Sequence, residues 1–426
     1  MRFSQSRWLA LTVLAVVAFL GSTLPGNRNV IAAEAHACAA LCPFCNPVAL
    51  TLSEEMATRD VAVVAELLAD PPAPPEANDE VAAKAQFAVH HVLKGADFVS
   101  AGENATKFGA YYYGAGKKGD LFLMMTLEGD NEDWNIPIPL NERCAAYVRE
   151  LPGLPESGAD RLAFFQDYFE DEETLLARDA YDEFARAAYE DVIALKDRMQ
   201  RQKLLAWIAD PEIVTSRRRL YLTMLGVCGT KDDAEAIRQF IAEKKDDSSS
   251  GLDAAIACYL SLAGADGMPF VEKNFLANHD APYTQTYSAI MALRFHGTSE
   301  NRIPLDRVKQ GMRLMLDRPQ LADLVIPDLA RWEDWTITDK LVTLFKDADE
   351  ETSWVRVPVV QYLLANPDPK MATLISELEK IDSDAVRRAK FFQTFGGGPR
   401  TGNTGGGGSN GGSSSAPPPT KSDDGK

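Results

Sequence analysis

Leu252-Asp-Ala-Ala-Ile-Ala-Cys-Tyr-Leu260-Ser-Leu-Ala-Gly264 is apolar over most of its length and ends in glycine. Upstream, Leu225-Gly-Val-Cys-Gly229 repeats the leucine with glycine four residues on, and downstream Leu293-Arg-Phe-His-Gly297 does so again. Leu329, in Pro327-Asp-Leu-Ala-Arg331, and Leu363, in Gln361-Tyr-Leu-Leu-Ala365, continue the series less closely, at spacings of 35, 33, 36 and 34. Between these leucines the apolar residues recur every three to four positions, which is the period of a helix. A second, amphipathic helix is expected after each, at 234–242, 268–277, 338–346 and 371–381. One such pair cannot bury its apolar face alone, so neighbours must stack, and the period predicts an α-solenoid over 160–392. Glycine at each turn predicts a left-handed helix cap. Helices at 161–169, 172–188 and 189–208 are expected to open the stack.

Toward the N-terminus the period shortens to two. Alternating segments at 61–65, 87–93, 111–113 and 121–125 are separated by Pro, Gly, Asp and Asn, with turns at 71–75 and 117–119 and a closing helix at 145–151. These predict a small β domain over 38–152, a compact barrel or sandwich, so the fold class expected for the chain is multidomain α+β. Before it, Arg2 and Arg7 precede an uncharged stretch from Trp8 to Leu20, followed by Gly21, Pro25 and Gly26. This is the pattern of a secretory signal peptide, placed at 1–37 with Ala33-Glu-Ala35 or Ala35-His-Ala37 at its cleavage site. The expected location is exported, periplasmic or extracellular. Neither that stretch nor any later one is read as long enough to span a bilayer, so the mature protein is expected to have no transmembrane segment. Beyond Phe395 the sequence turns to Gly, Ser, Pro, Asn and Thr, which predicts a disordered tail at 396–426.

The whole chain has 426 residues, of which 46% are hydrophobic and 25% charged, so it can bury a core and wholesale disorder is excluded. Its net charge of −18, with no basic stretch interleaved with aromatics, argues against nucleic acid and anionic membranes as partners.

The densest chemistry is His36-Ala-Cys38-Ala-Ala-Leu-Cys42-Pro-Phe-Cys45. Its C-x3-C-x2-C spacing matches a cluster-binding loop, but no alternating strand–helix series follows to build the barrel such enzymes need. Cys42-Pro-Phe-Cys45 resembles the dithiol of glutaredoxin-like proteins, yet no thioredoxin-type domain stands behind it. Three cysteines with His36 would make a four-ligand zinc site if His36 survived cleavage, and Asn46 stands where a haem-binding His would be. In an oxidising compartment, Cys38, Cys42, Cys45 and Cys144 read as disulfide cysteines, and four cysteines allow three pairings. One arrangement ties the N-terminal segment to Cys144. Cys228 and Cys258 fall at similar positions of successive repeats, as adjacent buried thiols or as one bridge. No cofactor is expected.

Other candidates are weaker. His90 and His91, adjacent on a strand, are expected on opposite faces unless a bulge intervenes. His296 reads as a helix-end cap. No nucleophile elbow, His-Glu-x-x-His or phosphate-cradling loop appears, and the acidic runs at 130–133, 170–173 and 347–351 lack the spacing of a calcium loop. Arg217, Arg218 and Arg219 open a repeat helix, where they pair with acids of the next repeat or form an anion site. Trp332 and Trp335 flank Glu333-Asp334 and read as packing between repeats or as an aromatic anchor on an interaction surface.

Two resemblances add to this. The helix-pair series looks like HEAT repeats of a short, divergent type. The early strand at Asp60-Val61, the run 87–95 ending Val-Leu-Lys-Gly, and Gly119-Asp120 before an apolar strand together resemble netrin-like modules, which are OB-type barrels. The order of signal, Cys-Pro-Phe-Cys segment, β module, helical repeats and polar tail resembles exported HEAT-repeat-like proteins of planctomycete bacteria, a likeness that implies no activity. The function expected is therefore a non-enzymatic protein-binding or scaffold role for the helical-repeat surface, with a protein partner. The alternative is a periplasmic thiol-redox or metal-binding protein centred on Cys42 and Cys45.

Overall fold

Val61-Ala-Val-Val-Ala-Glu-Leu67 is apolar on both faces because it becomes the central strand of a sheet covered on both sides. The computed structural model describes residues 44–47, 49–75, 82–127, 134–247, 250–300 and 302–395. The signal segment, Cys38, Cys42 and the tail lie outside them.

The strands are β1 (Val61–Leu67), β2 (Ala85–Lys94), β3 (Lys107–Ala110), β4 (Leu121–Thr126) and β5 (Ile138–Leu140), antiparallel in the order β3-β2-β1-β4-β5. The sheet is open, with β3 and β5 at its edges. Val64 pairs with His91 and Ala65 with Val89, which makes His90 an extra residue; Leu93 is extra in the same way between Val92 and Lys94. Two bulges so close together bend and twist β2. Tyr111–Tyr113 is not a strand. The third strand lies just before it, where Phe108 and Ala110 are buried, while Tyr111 is exposed and the Tyr112 hydroxyl donates to Ala115 O.

The helices are α1 (Leu52–Ala57), α2 (Glu142–Glu150), α3 (Ala159–Gln166), α4 (Thr174–Arg186), α5 (Tyr189–Ala194) and α6 (Arg201–Ala209). Then come α7 (Thr215–Cys228), α8 (Lys231–Lys244), α9 (Leu252–Ala263), α10 (Met268–Val271), α11 (Tyr283–Thr298) and α12 (Leu305–Arg313). The series closes with α13 (Ile326–Arg331), α14 (Thr338–Asp347), α15 (Arg356–Ala365), α16 (Lys370–Glu379) and α17 (Ser383–Phe395). The expected helix at 189–208 is broken at 196–198 by a 3₁₀ turn, and the one at 268–277 passes from α to π geometry at Glu272.

Leu225, Leu260, Leu293, Leu329 and Leu363, the residues that set the period, are all fully buried in one core. Helix α9 packs on both α7 and α11, the leucine helices before and after it. Ion pairs repeat the period: Arg219 Nε to Asp253 Oδ1 at 3.0 Å and Arg294 Nη2 to the buried Asp328 Oδ2 at 2.7 Å. Each joins residues 34 apart. The glycines do not behave alike. Gly264 has φ +64° but ψ −148°, outside the left-handed helical region, Gly229 has φ −72°, and Gly297 lies inside α11, so the left-handed cap expected of all three is made at none of them.

The helical run Leu252–Leu276 is long and apolar enough to cross a bilayer by length and composition, which corrects the expectation that no later stretch would be. It is 67% buried inside the protein, as a core helix is.

One face of the sheet belongs to the helices. Ala62, Val64, Leu123, Met125 and Leu140 share the helical core, while Val61, Val63, Ala65, Phe87, Phe108 and Phe122 form a second core on the other face. The alternation of β1 thus divides one strand between two cores.

Glu170 and Glu333 adopt φ of +53° and +54°, where a β-carbon is strained. Glu333 is exposed, so Glu333→Gly is expected to raise stability by about 0.5 kcal/mol, strain relief exceeding the entropy glycine adds to the unfolded chain. Glu170 instead holds Arg217 Nη1 at 2.8 Å and the Tyr221 hydroxyl, and Glu170→Gly should destabilise. Urea midpoints of the two variants, moving in opposite directions, test the assignment.

Candidate functional site

The described residues 44–47 and 49–51 form a strap leading into α1, gripped mainly by α4. Phe44 is 5% exposed and meets the Phe295 ring edge-on at 5.3 Å. The Tyr181 hydroxyl accepts from Asn46 N at 3.3 Å and donates to Asn46 O at 3.1 Å. Arg186 Nη2 donates to Ala49 O at 2.6 Å, and Asp179 Oδ1 accepts from Leu52 N at 2.7 Å. The strap then enters α1 through a capping box, Thr51 with Glu54, and Glu54 also pairs with Arg186 Nε at 3.1 Å. Four of these bonds go to main-chain atoms of the strap and of Leu52, so the grip depends little on side-chain identity. The other Asp179 oxygen accepts from the Tyr147 hydroxyl at 2.6 Å. Burial pushes the Asp179 carboxyl up to about 6 despite the two donors, and burial followed by the Asp179 charge raises the Tyr147 phenol.

The Cys-Pro-Phe-Cys segment contributes Phe44 as the anchor of this strap. Cys45 is disulfide-bonded and packs half-buried on the core. Its partner is not Cys144, Cys228 or Cys258, which are free thiols, so the expected tie between the N-terminal segment and Cys144 is not made. Cys144 sits instead in the first turn of α2, its backbone N–H bonded to the Asn141 cap at 2.8 Å and its side chain in the core. Cys228 and Cys258 are unbridged, and burial raises all three thiols, which keeps them protonated and poorly nucleophilic.

Among the described residues no group of three or more His, Cys, Asp or Glu side chains is placed to hold a metal ion. The bulge at His90 leaves both His90 and His91 exposed, so the opposite-face expectation fails where the register slips. His296 does not cap its own helix. Its Nε2 donates to Ala257 O of α9 at 3.0 Å, and burial lowers its pKa to about 4, leaving it neutral.

The three arginines are engaged in stitching helices together. Arg217 pairs with Glu170, buried Arg218 donates from Nη2 to Asp210 O at 2.8 Å, and Arg219 pairs with Asp253. The tryptophans part company. Trp332 is buried against Gly297, whereas Trp335 is half-buried, edge-on to Tyr362 at 5.2 Å, and lines an open cleft of about 860 Å³ between α14 and α16. Thr338 and Asp339 face Asn366, Pro367, Met371 and Leu374 across that cleft. Sequence reasoning found Trp335 but missed Asp179, Tyr181 and Arg186, because their strap partners lie 127 to 137 residues away and no local pattern marks them.

A scan against protein-family models and a search of curated proteins both find no match to the chain.

Proposed function

We propose that the chain is an exported, non-enzymatic protein-binding scaffold, with its helices forming a HEAT-like α-solenoid and its sheet a partly open OB-type module. The periodic buried leucines and the 34-residue ion pairs support the solenoid, and the central β1 with a doubly bulged β2 supports the module.

The observation that carries the binding reading is the Trp335 cleft. An aromatic wall beside Met371 and Leu374, rimmed by Thr338, Asp339, Asn366 and Lys370, joins an apolar centre to a polar edge. That is the anatomy of a protein-binding hot spot, and the occupant proposed is an extended segment of a partner protein. The strap on α4 illustrates the mode within the chain: side chains of the helical part hold main-chain atoms.

The test is capture by the tagged full-length protein under mild cross-linking. A reproducible partner is expected, with recovery reduced about tenfold by Trp335→Ala and by Lys370→Glu, a rim charge reversal that leaves the core untouched. No reproducible partner, or equal capture by both variants, overturns the proposal.

A further inference from the structure

A second cavity, of about 410 Å³, opens where α9 and α11 begin, beside the loop after α8. We propose that it binds carbohydrate, a pyranose ring lying against the open ring area of a stacked tyrosine pair with its hydroxyls taken up by the polar wall. The inference is independent of the Trp335 cleft.

Tyr283 and Tyr287, one helical turn apart, hold their rings near-parallel, 13° apart in plane and 5.8 Å between centres. They stack on one another, yet they remain 52% and 38% exposed, so ring area is left open that core packing does not account for. The C–H face of a sugar is the kind of surface such rings cover.

On the wall, Ser250 is only 2% exposed and its Oγ has no hydrogen-bond partner. A buried hydroxyl left so costs about 1–3 kcal/mol, and Ser250 stands in the wall both of this cavity and of the smaller one beside Arg218 and Phe240. Gly251 comes next, with φ +70°, and a β-carbon there would lie 3.0 Å from Arg219 Cγ, so the turn into α9 favours glycine.

The remaining wall is rich in both donors and acceptors. Asp253 Oδ1 accepts from Arg219, and Asp246 Oδ1 accepts from Gln285 Nε2 at 2.7 Å; each carboxylate has further acceptor sites for sugar hydroxyls. Lys245 and Arg219 stand against Asp246, Asp247 and Asp253, so the lining is slightly acidic. That balance disfavours a phosphate or nucleotide, and the density of polar groups disfavours a purely apolar ligand. A neutral polyol with one apolar face satisfies both, and the volume lies within the range of small-ligand sites.

The experiment is isothermal titration of the full-length protein with neutral hexasaccharides of glucose, mannose, xylose and N-acetylglucosamine. A sulfated polysaccharide and a proline-rich peptide run alongside. At least one neutral hexasaccharide is expected to bind. Tyr283→Ala and Tyr287→Ala should each weaken it about tenfold with little change in the unfolding midpoint, and Ser250→Ala should weaken it about threefold. No binding of any neutral hexasaccharide at millimolar concentration overturns the proposal. So does binding that the tyrosine variants leave unchanged, or binding confined to the sulfated polymer or the peptide.

Discussion

Asp179→Asn is expected to leave the protein at least as stable as the wild type at pH 8 and to remove a pH dependence that the wild type carries between pH 4 and pH 7. The carboxyl is buried, and burial raises it from an ordinary value of 3.8 to about 6. The folded state therefore holds this proton more tightly than the unfolded state. Its stabilising contribution is full below about pH 4 and is lost as pH rises through 6. At about 1.36 kcal/mol per pH unit, the swing is on the order of 3 kcal/mol. Asparagine keeps both contacts without a charge. Its carbonyl oxygen accepts from Leu52 N–H, and its amide donates to a Tyr147 hydroxyl turned to accept.

Asp171 and Asp233 have the opposite sign. Hydrogen bonds from Arg143 and Arg201 hold them below the usual carboxylate range, so their contributions exist above about pH 4 and fade in stronger acid. The difference between wild type and Asp179→Asn isolates one group from the rest. Urea midpoints from pH 4 to pH 8 should diverge for the two proteins; parallel curves would show that Asp179 does not titrate in that window. Asp179→Ala, by contrast, strands both the Tyr147 hydroxyl and Leu52 N–H, and should cost about 2–4 kcal/mol at pH 7.

The leucine series was legible because burial of an apolar residue on a helix is a local demand: every one of the five leucines is fully buried. Helix pairs arise from the same pattern, and the four amphipathic helices fall within a few residues of their expected bounds. Turn geometry was less legible. Leu-x-x-x-Gly at 229, 264 and 297 is one string with three backbone conformations, because the chain packs differently beyond each glycine. Gly297 in particular answers to Trp332, which lies 35 residues on.

The sheet shows a similar limit. The alternation located β1, β2 and β4 but not the slip at His90, which changes where two histidines face. Register depends on what pairs across the ladder, and that information is not in the strand itself. In the candidate sites, the aromatic residues were visible as types, while their separation into buried Trp332 and cleft-lining Trp335 depends on helices 30 or more residues away. The Tyr283–Tyr287 pair passed unnoticed because two tyrosines four apart on a helix are an ordinary pattern until the wall facing them is known.

Gly297→Ala is expected to destabilise by about 1–3 kcal/mol, although alanine is the better helix former and the position lies inside α11. A β-carbon there would sit 2.2 Å from Trp332 Cζ2 and 2.7 Å from Cε2 and Cη2 of the same ring. Trp332 is 7% exposed in the core and has no free space to retreat into without moving what surrounds it. Gly226, inside α7, supplies the control. Its β-carbon would lie 3.4 Å from Ser261, an ordinary contact, so Gly226→Ala should gain a few tenths of a kcal/mol from helix propensity. The two substitutions are chemically identical and opposite in expected sign. Shrinking the ring relieves the clash, so Gly297→Ala combined with Trp332→Leu should be more stable than the two single losses added together predict. Additive losses would mean that the two residues do not share a contact. A positive coupling would place the spacing of α11 against the turn after α13 under the control of one glycine and one tryptophan, and it would explain why this glycine of the series is helical while Gly264 ends its helix.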